Sequence, residues 1–226
     1  MDDHKIDSLF RLVVVGPRDI HKIRRWRGPD YANLPDEARD TTLEHTLSIA
    51  LMIGALLAIE EEHPMGKHKG VLNHERLLLA AIIHDIGEGA VGDLPWRVKR
   101  DQRISGPMRE IEHEQVNEML RDLPEAARDL YTNAYRTPHE ESLEGRFFDA
   151  AHLVGQLALA VIRYRDGHRQ FVEAFSNILT ALEPAATEFA SIELCLAPFR
   201  EWLAREVERD NRAKALRVLA GEVDPE

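Results

Sequence analysis

The stretch LLLAAIIHDIGE, residues 77–88, combines an apolar run with ionisable side chains at its end. Its first seven residues are all apolar, which predicts a buried helix. His84 and Asp85 follow directly, and Glu88 would share the face of His84 if the helix continues that far. Burying an imidazole beside a carboxylate is costly unless something pairs with them. A divalent metal is a natural partner because both groups bind Mn, Fe, Co or Zn.

Two further segments place ligand-type side chains inside apolar helical patterns. His45 lies in LEHTLSIA and Asp149 lies in RFFDAAHLV. Each residue alone is more often a hydrogen-bonded core residue than a ligand. Together with His84 and Asp85, they favour a site for one divalent transition metal (Co, Mn, Fe or Zn, with Mg also allowed). His152, one helical turn after Asp149, is interpreted as a hydrogen-bonded core histidine.

Composition and charge exclude several classes of protein. The 226 residues carry 29 Lys and Arg against 40 Asp and Glu, a net charge of −11. This balance argues against a nucleic-acid polymer as partner, which would need a basic stripe. Cys195 is the single cysteine, so the sequence favours a reducing compartment. Because it also lacks a signal peptide pattern and a run of about 20 uncharged apolar residues, we expect a cytoplasmic protein with no membrane partner.

The periodicity of the apolar residues predicts an all-α fold. Helices are expected over residues 42–59, 75–86, 108–120, 124–135, 142–165, 171–182 and 188–220. Pro107 is expected at a helix start, and the last helix is expected to break near Pro198. Residues 10–15 could form a short strand or continue a helix from residue 5. We expect a core domain over residues 1–182 and a C-terminal helical extension, residues 183–226, packing on the core or a second subunit.

Two histidines and two aspartates stand in the order H…HD…D: His45, His84, Asp85 and Asp149. This order resembles the HD-domain metal-dependent phosphohydrolases. The longer string HDIGEGAVGDLPWRVK, residues 84–99, is similar to their 5′-deoxynucleotidase branch, which carries HD-x-x-E-x-x-x-G-D-L-P followed by a Val-Lys pair. Arg25 and Trp26 match an Arg-Trp pair that this branch places before the first histidine. The resemblance covers roughly residues 20–159 and implies an HD-domain helical bundle that hydrolyses deoxynucleotides.

The resemblance also implies a role for each matching residue. One divalent metal would bind His45, His84, Asp85 and Asp149, and the catalytic carboxylates would be Glu88 and Asp93. Arg25 would orient the substrate phosphate, and Trp26 would pack on the sugar or base. The rest of the nucleotide pocket would consist of Asp93, Leu94, Pro95, Trp96 and Lys99. Trp96 replaces a small residue expected after Leu-Pro, a departure that bears on the substrate rather than on the chemistry.

Several alternatives to a 5′-deoxynucleotidase remain open on the sequence. A dNTP triphosphohydrolase of the dATP type would release triphosphate and would need more cations, which the segment after GDLP offers: Arg97, Lys99, Arg100 and Arg103. A non-catalytic nucleotide-sensing HD domain is less favoured, because such a domain would be expected to lose ligands or catalytic carboxylates. A second metal at His113 or His139 is also disfavoured, since Glu88 stands where the two-metal HDIGK branch has Lys. The acidic, amphipathic C-terminal end favours a homodimer or higher homo-oligomer.

Overall fold

The computed structural model describes residues 3–99 and 101–219. Over these residues the chain forms α-helices, a π-helical segment, short 3₁₀ turns and loops, without a strand, and the predicted all-α fold class is confirmed. An isolated antiparallel bridge joins Arg24 to Thr41. The helices are α1 (Asp3–Phe10), α2 (Gly16–His21), α3 (Thr42–Glu62), α4 (His74–Ile83), α5 (Glu88–Val91), α6 (Trp96–Lys99), α7 (Gln102–Leu120), α8 (Glu125–Arg136), α9 (Leu143–Arg165), α10 (Phe171–Glu188) and α11 (Ala190–Leu219).

Three of the helices that build the site begin at side-chain caps. At the start of α3, the Thr41 hydroxyl accepts a hydrogen bond from the Glu44 backbone N–H at 3.1 Å. The Glu44 carboxylate accepts in return from the Thr41 N–H at 2.7 Å, which completes a capping box. Asn73 and Ser142 cap α4 and α9 without a reciprocal bond: the side chain of each accepts from the backbone N–H three residues further on. Since each cap replaces a missing hydrogen bond of the first turn, the starts of these helices are set locally.

Helices α3 and α9 form the centre of the main core, and α4, α10 and α11 pack around them. Both central helices are long and apolar enough to cross a bilayer by length and composition, and here both build the interior of the bundle. A second, smaller cluster joins α4, α7 and α8 around Ile83, Ile86 and Met119. The turn after α4 therefore lies between two packed regions, and this turn carries His84 and Asp85.

The N-terminal region and α7 differ from the sequence expectations. Residues 10–15 form no strand: α1 passes at Phe10 into the π-helical segment Arg11–Val15, which leads into α2. Pro107 does not start a helix and instead lies in the second turn of α7. The helix begins earlier because the Asp101 carboxylate accepts from the Arg103 backbone N–H at 3.1 Å and caps it. In residues 10–15 the flanking helices override the strand propensity of the sequence. In α7 a side-chain cap sets the start of the helix.

The predicted break near Pro198 is wrong. Pro198 lies inside α11, which runs without interruption over Ala190–Leu219. Leu196 and Phe199, on either side of the proline, both pack on the main core, and this packing offsets the hydrogen bond that proline removes. The boundary expected at residue 182 falls within α10. The described part of the C-terminal extension packs on α3, α9 and α10.

Candidate metal centre and active site

The turn after α4 fixes the orientation of the His84 ring. Helix α4 ends at Ile83, earlier than the expected residue 86, so His84 caps it. The Nδ1–H of His84 donates to the Ala81 carbonyl at 3.0 Å, which leaves the lone pair on Nε2. That Nε2 is buried and makes no hydrogen bond within the described part of the chain. A buried imidazole nitrogen without a donor fits a metal ligand, because a cation would satisfy its lone pair.

Two more histidines bring their rings to the same point. His45 projects from the first turn of α3, and His152 projects from the middle of α9. One ring nitrogen from each of these two residues and from His84 lies within 4.8 Å of the others. Burial lowers the pKa of His45 well below its ordinary value and that of His152 to about 3, so both rings are neutral at pH 7. Neutral imidazoles offer lone pairs, and the three form a group that could hold a metal ion.

Asp85 adds a carboxylate to this histidine cluster. Its Oδ2 lies 3.1 Å from His84 Nε2 and 3.7 Å from His45 Nε2, and it accepts a hydrogen bond from the Arg25 guanidinium at 3.2 Å. Burial alone would raise the pKa of Asp85, but His84 and Arg25 outweigh it and hold that pKa well below its ordinary range. The carboxylate is therefore ionised and available to a cation.

Glu88 is the buried carboxyl beside this cluster. Its Oε2 accepts from the Thr42 hydroxyl at 3.1 Å, and its Oε1 lies 3.1 Å from Lys99 Nζ. Lys99 also lies 3.2 Å from the Asp93 carboxylate, so one ammonium joins the two predicted catalytic carboxylates. Burial and the charge of Asp85 raise the pKa of Glu88 to about 7, against the opposing effect of Lys99. A carboxyl with this pKa can take or give a proton at neutral pH.

Arg25 supplies positive charge to the same place. Its side chain is buried, 3.2 Å from Asp85 and 4.0 Å from Asp40. Burial alone would lower its pKa, but Asp93, Asp85 and Glu88 together raise it, so the guanidinium stays charged. A buried guanidinium is the group best suited to a phosphate, which it can bind through two parallel N–H donors.

The ring of the neighbouring Trp26 packs into the core, and its N–H reaches Asp40, which is also a partner of Arg25. Its ring packs edge-on against Tyr31 and Phe171, with centroid distances of 5.1 and 4.9 Å. Its Nε1–H donates to Asp40 at 3.0 Å. In this arrangement Trp26 supports the segment that carries Arg25, and the expected stacking on a sugar or base stays a prediction.

The remaining predicted pocket residues lie on the segment after α5. Leu94 and Pro95 are partly buried, and Pro95 lies beside Gly28 of the loop that follows Trp26. Trp96 begins α6, but its side chain lies outside the described residues. The segment therefore borders the Arg25 loop, and the roles predicted for these residues remain predictions.

Asp149, the fourth predicted ligand, lies on α9 one turn before His152. Its side chain is exposed, yet the surrounding protein desolvates the carboxylate and raises its pKa to about 6. On this helix it is His152 that contacts the group formed by His45, His84 and Asp85. Sequence reasoning treated His152 as an ordinary core histidine, although its spacing of three residues from Asp149 was a signal that both share one face of α9.

His113 and His139 lie outside the three-histidine cluster. Their ring centroids are 5.8 Å apart, and both rings contact Tyr135. The group capable of holding a metal that the described residues form contains neither of them.

Comparison with solved structures places the bundle in a known class. The chain superposes on an HD-domain phosphohydrolase from Listeria innocua with a TM-score of 0.66 at 20% identity, covering 86% of this chain and 90% of that one. A conserved hypothetical protein from Pyrococcus furiosus gives a TM-score of 0.59 at 22% identity, covering 88% and 99%. At these identities the likeness defines the fold, which is that of the HD domain.

Sequence comparison is more specific than the structural comparison, because it distinguishes families within the fold. A family model described as 5′-deoxynucleotidase YfbR-like matches residues 17–199. The chain is 30% identical over 172 residues to a 5′-deoxynucleotidase of Enterobacter sp. (strain 638), covering 74% of this chain and 79% of the relative. It is 34% identical over 110 residues to 5′-deoxynucleotidase YfbR of Escherichia coli, covering 48% and 51%. The chain belongs to the YfbR-like 5′-deoxynucleotidase family, which confirms the resemblance found in residues 84–99.

Proposed function

We propose that this protein is a metal-dependent 5′-deoxynucleotidase that releases inorganic phosphate from deoxynucleoside 5′-monophosphates. The observation that carries the proposal is the arrangement of Glu88, whose pKa is about 7, beside a buried Arg25 and a histidine cluster. Family membership supports the same reaction class. The proposal thus combines an acid–base group, a phosphate-binding cation and a metal-binding group in one place.

The residues present fit a divalent cation. His45, His84 and Asp85 would hold it, with Asp149 as the fourth ligand that the resemblance implies, and the buried Nε2 of His84 without a hydrogen bond supports this fit. When bound, a divalent cation supplies Lewis-acid charge to a phosphoryl oxygen. The native metal among Co, Mn, Fe, Zn and Mg stays open, because imidazole and carboxylate ligands accommodate several of them.

The protein's own groups supply positioning and proton transfer. Arg25 binds phosphate oxygens and offsets their charge, which phosphoryl transfer mainly requires. As water adds to phosphorus and the bond to the 5′-oxygen breaks, Glu88 takes a proton from the water or delivers one to the departing oxygen. Lys99 holds Glu88 and Asp93 in place through contacts of 3.1 and 3.2 Å. Asp93 is the second candidate for the proton transfer.

The pairing of the basic residues favours a monophosphate over a triphosphate. Lys99 is engaged by Glu88 and Asp93, and Arg103 is paired with Asp101 at 2.6 Å. Lys99 is thus held between two largely buried carboxylates, whereas the Arg103 side chain is 89% exposed and its pair with Asp101 is a weak surface contact. A triphosphate carries more negative charge than a monophosphate and would need further cations, such as Lys99, free to offset it.

The test is to incubate the purified protein with Mn²⁺ or Co²⁺ and a panel of dNMPs, NMPs and dNTPs. We expect phosphate release from dNMPs, and a loss of about 10²–10⁴-fold in kcat for Glu88→Gln, since this change removes the proton-transfer group. Glu110→Gln, at an exposed position on α7, is the matched control and should retain activity. Release of triphosphate from dATP would favour the triphosphohydrolase, and equal slow turnover by wild type and Glu88→Gln would refute an enzyme that uses Glu88.

Two predictions about the whole protein accompany this function. We propose a homodimer or higher homo-oligomer, supported by the apolar side chains exposed on α3 and α4, Leu47, Leu51 and Ile82. We also propose a cytoplasmic location, supported by the single, partly buried Cys195. Sedimentation equilibrium of the full chain should give a mass of at least twice 25.8 kDa, and a monomer at all concentrations would contradict the first proposal.

A further inference from the structure

We propose that His152 is itself a ligand of the metal, so that the centre consists of three imidazoles, His45, His84 and His152, together with the Asp85 carboxylate. The inference deepens the proposed function, since it concerns the metal of the same site. It departs from the two-histidine, two-aspartate set that the sequence predicts. Three separate helical elements, α3, the end of α4 and α9, would then share one cation.

The first support is the distance between the rings. His45 Nε2 and His152 Nε2 lie 2.8 Å apart, and the ring centroids of the three histidines are 4.8, 5.4 and 5.6 Å apart. In a tetrahedral centre with metal–nitrogen bonds of about 2.0–2.1 Å, neighbouring nitrogens lie about 3.3 Å apart. The two rings would therefore need to separate by only about 0.5 Å to admit a cation between them, relative to this ideal spacing.

The second support is the hydrogen-bond inventory of the cluster. A bond between two Nε2 atoms requires a proton on one of them, so it satisfies His45 and His152 with each other. The buried Nε2 of His84 makes no hydrogen bond within the described residues, although the Asp85 Oδ2 lies 3.1 Å from it. Because the His84 proton lies on Nδ1, the Nε2 lone pair faces the Asp85 carboxylate, an unfavourable contact in a purely structural cluster. One cation would accept the lone pairs of all three rings and of the carboxylate.

The third support is the placement of Asp149 relative to His152. Both residues lie on α9 three positions apart, and it is His152, not the exposed Asp149, whose ring nitrogen lies among those of His45 and His84. Replacing an aspartate by a histidine leaves a divalent centre with a net charge of +1 instead of 0. It also favours nitrogen-preferring ions such as Zn²⁺ and Co²⁺ over Mg²⁺ and Mn²⁺. A positively charged centre would further attract a phosphate dianion.

The experiment measures metal binding without substrate. His152→Gln keeps a side chain that can hydrogen-bond to His45 but is a poor ligand, so it separates a structural role from a ligand role. We expect the metal-free wild type to bind one Co²⁺ or Zn²⁺ per chain, and His152→Gln to bind about 100-fold more weakly or worse in a competition titration with a chromophoric chelator. His168→Gln, which removes a histidine past the end of α9, is the matched control and should bind like wild type.

A second measurement holds even if the variant folds poorly. The Co²⁺-loaded wild type should show three hyperfine-shifted, solvent-exchangeable imidazole N–H resonances, one for each ligating histidine. Two resonances in wild type, or unchanged affinity in a folded His152→Gln protein, would overturn the proposal. The outcome is independent of the proposed function: three imidazole signals without phosphate release would refute the 5′-deoxynucleotidase, whereas phosphate release with two signals would refute only the role of His152.

Discussion

Trp26 has a backbone φ of 60°, the single positive value among the non-glycine residues that the structure describes. Such a conformation costs a residue with a side chain about 1–2 kcal/mol, and it persists only where the surroundings impose it. Here Arg39 donates to the Trp26 carbonyl, Asp40 accepts from the indole N–H, and Phe171 packs against the ring. The unusual turn directs Trp26 into the core while Arg25 reaches Asp85, so the strain is coupled to the position of the Arg25 guanidinium.

A comparison of two substitutions at this position isolates that strain. Trp26→Gly and Trp26→Ala both remove the indole, but only glycine adopts a positive φ without cost. We expect the free energy of unfolding of Trp26→Gly to exceed that of Trp26→Ala by about 0.5–1 kcal/mol. This difference already allows for the greater freedom of glycine in the unfolded chain. Urea denaturation measures the difference. The same pair at Arg27, where φ is not positive, should show the opposite order, and equal stabilities at residue 26 would contradict the strain.

At the scale of elements, the start of α9 depends on a glycine. Gly145 lies in the first turn, and a Cβ there would lie 2.0 Å from the Glu140 carbonyl oxygen and 2.9 Å from that of Thr137. Both atoms belong to the backbone and cannot move aside without shifting the chain. The close approach lets the preceding turn fold under α9, the helix that carries both Asp149 and His152.

Gly145→Ala is therefore expected to destabilise the protein by about 1–3 kcal/mol, as overpacking against a fixed backbone does. Gly106→Ala is the matched control, because no atom outside its own helix lies within 4 Å of a Cβ at that position of α7. Replacing a glycine inside a helix should there be neutral or stabilising by up to about 1 kcal/mol. Thermal unfolding followed by circular dichroism measures both, and a neutral Gly145→Ala would contradict the close approach.

At the scale of the whole molecule, a buried carboxylate ties α3 to the C-terminal helix. Glu60 is fully buried and accepts hydrogen bonds from the backbone N–H groups of Ser191, at the start of α11, and of Lys67, both at 2.9 Å. Burial alone would raise the pKa of Glu60, but these donors outweigh it and lower that pKa. The stabilising contribution is therefore complete above the ordinary pKa of about 4.5 and is lost as pH falls through the lowered value in the folded state.

Glu60→Gln should destabilise the protein by about 1–3 kcal/mol at pH 7, because the amide group turns a donor toward one of the two N–H groups. The difference from wild type should shrink as the pH is lowered below about 4.5. Guanidinium denaturation at pH 7 and in acid measures both effects. Glu62→Gln, at an exposed position two residues on, is the control, and a difference independent of pH would contradict the role of the charge.

Much of the site was predictable because the signals are local. The spacing of His84, Asp85 and Glu88 and the string that follows identified the family, and the apolar periodicity identified the helices around them. The prolines at 107 and 198 misled because their cost is local, whereas the caps and core contacts that offset it come from elsewhere in the fold.

By itself, the sequence determined the all-α class, the HD-domain family and three members of the candidate centre, His45, His84 and Asp85, since helix periodicity and short motifs act over a few positions. Only the tertiary structure decided which side chains meet. The rotation of α9 against α3 brings His152 to His45 while Asp149 stays exposed, and the strained turn at Trp26 directs Arg25 to Asp85. The physical reason is that the convergence of these atoms depends on packing between helices that are distant in the chain. Periodicity alone cannot decide which of two residues three positions apart, Asp149 or His152, reaches the other histidines.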